Sequence, residues 1–220
     1  MPPANKFHDD DIQVQILKPP FFEPTRIVVN RRDAWQKHEW IGTFNLWIVQ
    51  SKSIPSIIYQ LRGPTIGWAP DKLDVAVGGH YENLEKIEGG IREVNEEIGK
   101  NYLPNDLTFL GRRLYVGVGQ DQVVRQNIVD IYLTEDNLEL NTFNLQKKEL
   151  YALFSIPIVN LLNLYSGKFD TFSVTGIKAD NTPIEYEVNK NSFPPNFDPY
   201  HYKMALLIDR YFKGERNLMY

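Results

Sequence analysis

Between Gly78 and Gly99 the chain concentrates residues that can do chemistry: Gly78-Gly79-His80, then Glu85, then Arg92-Glu93-Val94-Asn95-Glu96-Glu97-Ile98-Gly99. On a helix, Glu93, Glu96 and Glu97 stand at i, i+3 and i+4 and share one face. Three carboxylates crowded near a helix C-terminus repel one another and oppose the negative end of the macrodipole, and a cation relieves both. Clustered carboxylate oxygens suit the hard divalent ions Mg²⁺ and Mn²⁺. A solvated helix face with i,i+4 partners is the plain reading of three glutamates taken alone. Their joint spacing with Arg92 and Gly99 argues against it.

The elements that must carry these residues are readable around them. Ile87, Ile91, Val94 and Ile98 recur at spacings 4, 3 and 4, which predicts a helix with its apolar stripe away from the glutamates and Gly99 as its stop. Strand-like stretches precede it at Phe44 to Val49, Ser56 to Leu61 and Leu73 to Val77, and return at Leu107 to Leu110, Arg113 to Val118 and Val123 to Leu133. Ile156 to Tyr165 reads as a helix with Pro157 in its first turn, closed by Gly167. Thr171 to Ile177 and Ile184 to Val188 read as a hairpin, and Tyr200 to Lys213 as an amphipathic helix ended by Gly214. Near the start, Ile12 to Ile16 and Ile27 to Val29 form short alternating pieces suited to pairing as strands. Strands and helices mix without regular βαβ alternation, so the expected class is α+β with a mixed sheet.

Composition removes several functions. In 220 residues, 24 Lys and Arg stand against 28 Asp and Glu, a net charge of −4, with no electrostatic footprint for a nucleic-acid backbone. No run of about 18 apolar residues occurs and Met1 to Asp11 is polar, so neither membrane insertion nor export is expected, and a cytoplasmic location is. The absence of cysteine excludes disulfides, thiolate zinc sites and cysteine nucleophiles, leaving oxygen and imidazole as metal donors.

The segment resembles the Nudix box: Gly, five residues, Glu, seven residues, then Arg-Glu-aliphatic-x-Glu-Glu-x-Gly-aliphatic. Gly79 and Glu85 match, and Arg92 to Gly99 matches throughout. Two departures show: six residues rather than seven separate Glu85 from Arg92, and Lys100 takes the last aliphatic place. Trp47-Ile48-Val49, Ile58 to Arg62 and Leu73-Asp74 leading into Gly79-His80 look like the approach to the box in Nudix proteins, including the branch of isopentenyl diphosphate isomerases. The resemblance covers about residues 40 to 165. It implies an α/β/α sandwich with residues 40–165 as the Nudix domain; the flanks carry no such motif, and their proline punctuation and strand and helix signals make 1–39 an expected N-terminal extension packed on the core and 166–220 a C-terminal hairpin and helix packed on it.

The resemblance also implies hydrolysis of a diphosphate linkage in a nucleoside diphosphate derivative or related small-molecule diphosphate, with Mg²⁺ or Mn²⁺. Glu96 and Glu97 would be metal ligands, Glu93 a ligand or the base that orients water, a carbonyl of Gly78 or Gly79 a further ligand, and Arg92 the residue that positions the glutamates. The chemistry agrees, because a diphosphate repels water and carboxylate alike until a metal ion neutralises it. Glu85, His80, Arg62 and Glu149 are candidate substrate or supporting residues. His80 is as well read as a hydrogen-bonding group at a turn, Arg62, Arg112 and Arg113 as ion-pairing residues, and Glu149 as part of a solvated charged turn. Tyr200, Tyr202, Tyr211 and Phe212 read as core or homodimer packing. An isomerase is disfavoured, since that chemistry pairs a cysteine with a glutamate and the chain has no cysteine. A non-catalytic nucleotide-binding module is the alternative, favoured only by the short spacer.

Overall fold

The computed structural model describes residues 12–119 and 121–220; the polar lead-in Met1 to Asp11 lies outside the described residues. Strands β1 (Gln13–Lys18) and β2 (Glu23–Asn30) pair antiparallel and lead into the short helix α1 (Arg31–Gln36), capped by the Asn30 side chain, which accepts from the Arg32 N–H at 2.9 Å. Next come β3 (Trp40–Gln50), β4 (Ser56–Arg62), β5 (Leu73–Val75), β6 (Val77–His80) and helix α2 (Ile87–Ile98). Strands β7 (Thr108–Val118) and β8 (Val124–Glu135) form a long hairpin. Strand β9 (Leu150–Pro157) runs straight into α3 (Ile158–Tyr165), the hairpin β10 (Thr171–Lys178) and β11 (Pro183–Asn189) follows, and α4 (Tyr200–Phe212) comes last.

The strands join in one mixed sheet centred on β3. Along one edge β3 pairs with β8 in parallel from Trp40↔Gln126 to Val49↔Glu135; β6 and β4 pair with it antiparallel. The two-residue alternation of β3 decides what each face holds. Phe44, Leu46 and Ile48 pack with Val94 and Ile98 of α2, whereas Trp47 and Val49 share a cluster with Ile158, Leu161 and Leu164 of α3 and Met204, Ala205 and Ile208 of α4. Helices therefore cover both faces of the sheet, an α/β/α sandwich. Each of these large side chains contributes about 1.5–3 kcal/mol by leaving water.

The helix expected from the isoleucine spacing spans the expected residues, and Gly99 ends it at φ +66°. Three local readings change. The stretch Ile156 to Tyr165 divides: Ile156 and Pro157 still belong to β9, paired with Ile57 and Ser56 of β4, and the helix starts at Ile158. From Thr108 on, the two stretches expected at Leu107 to Leu110 and Arg113 to Val118 are one strand, whose register shifts between Phe109 and Gly111. Helix α1, too short to show a period, was not expected. The C-terminal aromatics are used inside the chain: Tyr200 is buried, Tyr202 stacks on Tyr165 at 5.0 Å, and Tyr211 and Phe212 pack against the core. Strand β1 meets β3 at Ile16↔Ile41, and Val14, Ile16, Ala34, Trp35 and Ile41 form a small cluster of their own.

Candidate active site

Helix α2 can lie close to the sheet because Gly90 faces Phe44, where a Cβ would come within 2.2 Å of the ring. The loop after β8 caps its end: the Asn144 N–H donates to the Ile98 carbonyl at 2.9 Å and the Gln146 N–H to the Glu97 carbonyl at 2.8 Å. That tether brings Lys147, Lys148 and Glu149 to the end of α2. On the other side β6 pairs Gly79 with Phe44 and Gly78 with Asn45, which lays the two glycines beside the helix. A Cβ on Gly79 would sit 2.3 Å from the Glu93 carboxyl carbon, so a bare backbone is what lets Glu93 lie there.

These elements wall a cavity of about 840 Å³ whose lining includes Glu93, Glu97, Gly78, Gly79, His80, Arg62 and Glu149. Glu97 is 4% exposed, accepts from the Gly78 N–H, and has no hydrogen-bond partner at Oε2 among the described residues. Burial, reinforced by Glu93 and Glu149, pushes its carboxyl well above the usual range against the pull of Arg62. Burial likewise raises Glu93 to about 7; the Arg92 guanidinium opposes this, while Glu96 and Glu149 add to it.

Arg92 stands outside the cavity as a hub of charge. Its Nε and Nη2 each lie 3.2 Å from a Glu85 oxygen, Nη1 lies 3.1 Å from Glu96, and Nη2 is also 3.2 Å from Glu93 and from Glu82. Glu96 is half-exposed and turned to Arg92 rather than to the cavity. The joint three-glutamate face expected from the spacing is therefore not assembled, and among the described residues no three His, Asp or Glu side chains are gathered to hold a metal ion. The charge of Arg92 explains this, since it draws Glu93 and Glu96 toward itself. Glu85 keeps its place despite the short spacer: besides Arg92, it accepts from the Glu82 N–H at 2.8 Å, so the turn before α2 absorbs the missing residue. The donors still fit a hard divalent ion, because two neighbouring carboxyls that resist ionisation, Glu97 buried with an orphaned oxygen and Glu93 partly buried, are what a cation would stabilise.

His80 belongs to a different group. Its Nδ1 lies 3.1 Å from Arg31 Nη1, and because a guanidinium only donates, Nδ1 accepts and Nε2 carries the proton. Burial, then Arg31 and Arg125, hold this imidazole well below its usual pKa, so it is neutral. Arg62 donates from Nε to the Trp68 carbonyl at 3.0 Å, and its Nη1 is 3.5 Å from Asp74. Arg112 pairs with Asp130 and Arg113 with Asp198; Arg113 lines the cavity. Sequence reasoning missed Trp35, Asn45, Gln60, Arg125 and Asn127, all in the cavity wall. The available signal was a polar residue within apolar alternation, as with Asn45 in β3 and Asn127 in β8.

A mixed sheet between helices, with a glutamate-bearing helix beside a two-glycine strand, is the Nudix type of fold, and this chain is similar to Nudix proteins. It is 29% identical over 202 residues to an uncharacterized Nudix hydrolase of Clostridium acetobutylicum, covering 87% of this chain and 96% of that one. No family model matches the chain. Among solved structures, the DR0079 protein of Deinococcus radiodurans superposes with a TM-score of 0.51 at 18% identity, over 70% of this chain and 89% of that one. A MutT protein of Methanosarcina mazei superposes at 0.50 and 15% identity, over 80% and 96%. These two likenesses concern the fold. None of the three relatives is named an isomerase. No helix among the described residues is long and apolar enough to cross a membrane.

Proposed function

We propose that the chain is a hydrolase of phosphoanhydride bonds that uses Mg²⁺ or Mn²⁺ to cleave the diphosphate of a nucleoside diphosphate derivative or a related organic diphosphate. The observation that carries this is the pair Glu93 and Glu97 on the cavity wall, the first partly and the second fully buried with Oε2 unpartnered, on a helix matching the Nudix box from Arg92 to Gly99. A divalent ion supplies neutralisation of the phosphate oxygens and of the charge that builds on the leaving group. Glu97 and a glycine carbonyl of β6 would hold it, with Glu96 joining them once released from Arg92. Glu93 orients a water molecule and takes its proton as the water oxygen bonds to phosphorus and the bridging P–O bond breaks. Arg92, fixed by Glu85, sets where Glu93 and Glu96 lie. Arg62, Lys147 and Lys148 on the cavity wall meet substrate anions, and Glu149 stands beside the glutamate pair as a further acid. The test is hydrolysis by purified protein with Mg²⁺ or Mn²⁺ across nucleotide sugars, ADP-ribose, dinucleotides, nucleoside triphosphates and non-nucleotide diphosphates, read as phosphate set free when a phosphatase is added to act on the monoester products. Binding of such compounds without any turnover would replace this reading with that of a non-catalytic nucleotide-binding module.

A further inference from the structure

The cavity wall also carries a group of side chains that the hydrolysis does not use. The Trp35 ring, brought in by α1, has two guanidinium groups over it, with Arg31 Cζ 4.9 Å and Arg125 Cζ 4.6 Å from its centre, and the His80 ring meets it edge-on at 5.6 Å. All four residues line the cavity. Three buried donors here have no hydrogen-bond partner among the described residues: Trp35 Nε1, Arg125 Nη1 and His80 Nε2, the last a donor because Nδ1 accepts from Arg31. Trp35 is only 9% exposed and the Arg125 side chain 14%. Each buried donor left unmade costs about 1–3 kcal/mol, and three around one ring call for an acceptor. Water would satisfy them one at a time; guanidinium charge favours an anion. Asp121 already takes part of the Arg125 charge at Nη2, 3.2 Å away, while Nη1 remains for a ligand.

We propose that this part of the cavity is a subsite for a second phosphate, a monoester carried by the part of the substrate remote from the diphosphate. The inference rests on the proposed reading only in taking the cavity as the substrate site. It makes the N-terminal extension, through Trp35 and Arg31, a specificity element, and narrows the substrate to diphosphates with an additional phosphate group.

Inorganic phosphate titrated calorimetrically into the whole protein in EDTA tests it, since without divalent ion the glutamates repel the probe. Arg125→Gln and Trp35→Phe should each weaken binding about tenfold or more, whereas Glu97→Gln should not weaken it. Trp35→Phe keeps an aromatic ring under the two guanidinium groups while removing the N–H with its five-membered ring, so it reads the subsite even if Arg125→Gln fails to fold. Acetate, titrated the same way, should bind at least about tenfold more weakly. No binding in wild type, equal phosphate affinity in wild type and Trp35→Phe, or acetate binding as tightly as phosphate overturns the proposal. Phosphate binding that depends on Trp35 in a protein that hydrolyses no diphosphate leaves the subsite standing and removes the hydrolase reading. Diphosphate hydrolysis with phosphate binding indifferent to Trp35 and Arg125 does the reverse.

Discussion

Glu96 and Glu97 are chain neighbours in opposite circumstances, one half-exposed and paired with Arg92, the other buried with an oxygen unpartnered. Glu97→Gln is expected to lower kcat by about a hundredfold or more, because it removes a charged ligand at the reacting phosphate. Glu85→Gln, which loosens only the support of Arg92, should cost about tenfold or less. Equal losses on a confirmed substrate would show that the turn holding Glu85 matters as much as the ligands. The raised carboxyls add a pH signature. A metal ion must displace the protons that Glu93, at about 7, and Glu97 retain, so Mg²⁺ or Mn²⁺ affinity should rise with pH through neutrality. Calorimetry in buffers of different ionisation enthalpy should register proton release at pH 6.5 or so and less at higher pH; release that is zero throughout would mean that Glu93 and Glu97 are already ionised.

At the scale of elements, the approach of α2 to β3 depends on Gly90. Gly90→Ala should destabilise the fold by about 1–3 kcal/mol through the clash with Phe44, and Phe44→Leu in the same chain should recover part of the loss. Thermal melts of the single and double variants check this; additive losses would mean that the helix yields elsewhere. Helix α2 and its stop were legible because twelve residues suffice for an apolar period and Gly99 supplies a left-handed end. Helix α1 was not, since six residues carry no period, and β9 was hidden because its apolar run continues without a break into α3. The glutamates, Arg92 and the glycines were legible as one local motif. Trp35, Asn45, Gln60, Arg125 and Asn127 come from four other elements and meet only through sheet pairing, which one sequence does not display.

For the whole molecule, the glutamate pair links stability to pH. Glu93 binds its proton more tightly folded, at about 7, than at its ordinary 4.5 when unfolded, so the folded state holds more protons between these values. Its contribution is present below the ordinary value and is lost as pH rises through about 7; Glu97 shifts the same way. In EDTA, Tm should fall over that window, and at pH 7.5 or so saturating Mg²⁺ should restore a few degrees, with Glu97→Gln melting higher than wild type without metal and gaining less from the ion. A Tm identical in EDTA and Mg²⁺ across this range would contradict the metal reading. The parallel pairing of β3 with β8 has a temporal consequence. Residues from Trp40 to Gly99 contain β3, β6 and α2 with their mutual contacts, and β7 with β8 is a hairpin; both can assemble from nearby chain. Joining β3 to β8 instead closes a long loop, whose entropy must be met before the new sheet bonds form. Pulse-labelled hydrogen exchange during refolding should protect β6 and α2 amides before the β3 amides bonded to β8; simultaneous protection would argue for one concerted step. In that order of events the glutamate side of the cavity exists first and Arg125 arrives last, so a kinetically trapped chain would present the carboxylates of α2 without the guanidinium of β8 that shares their cavity.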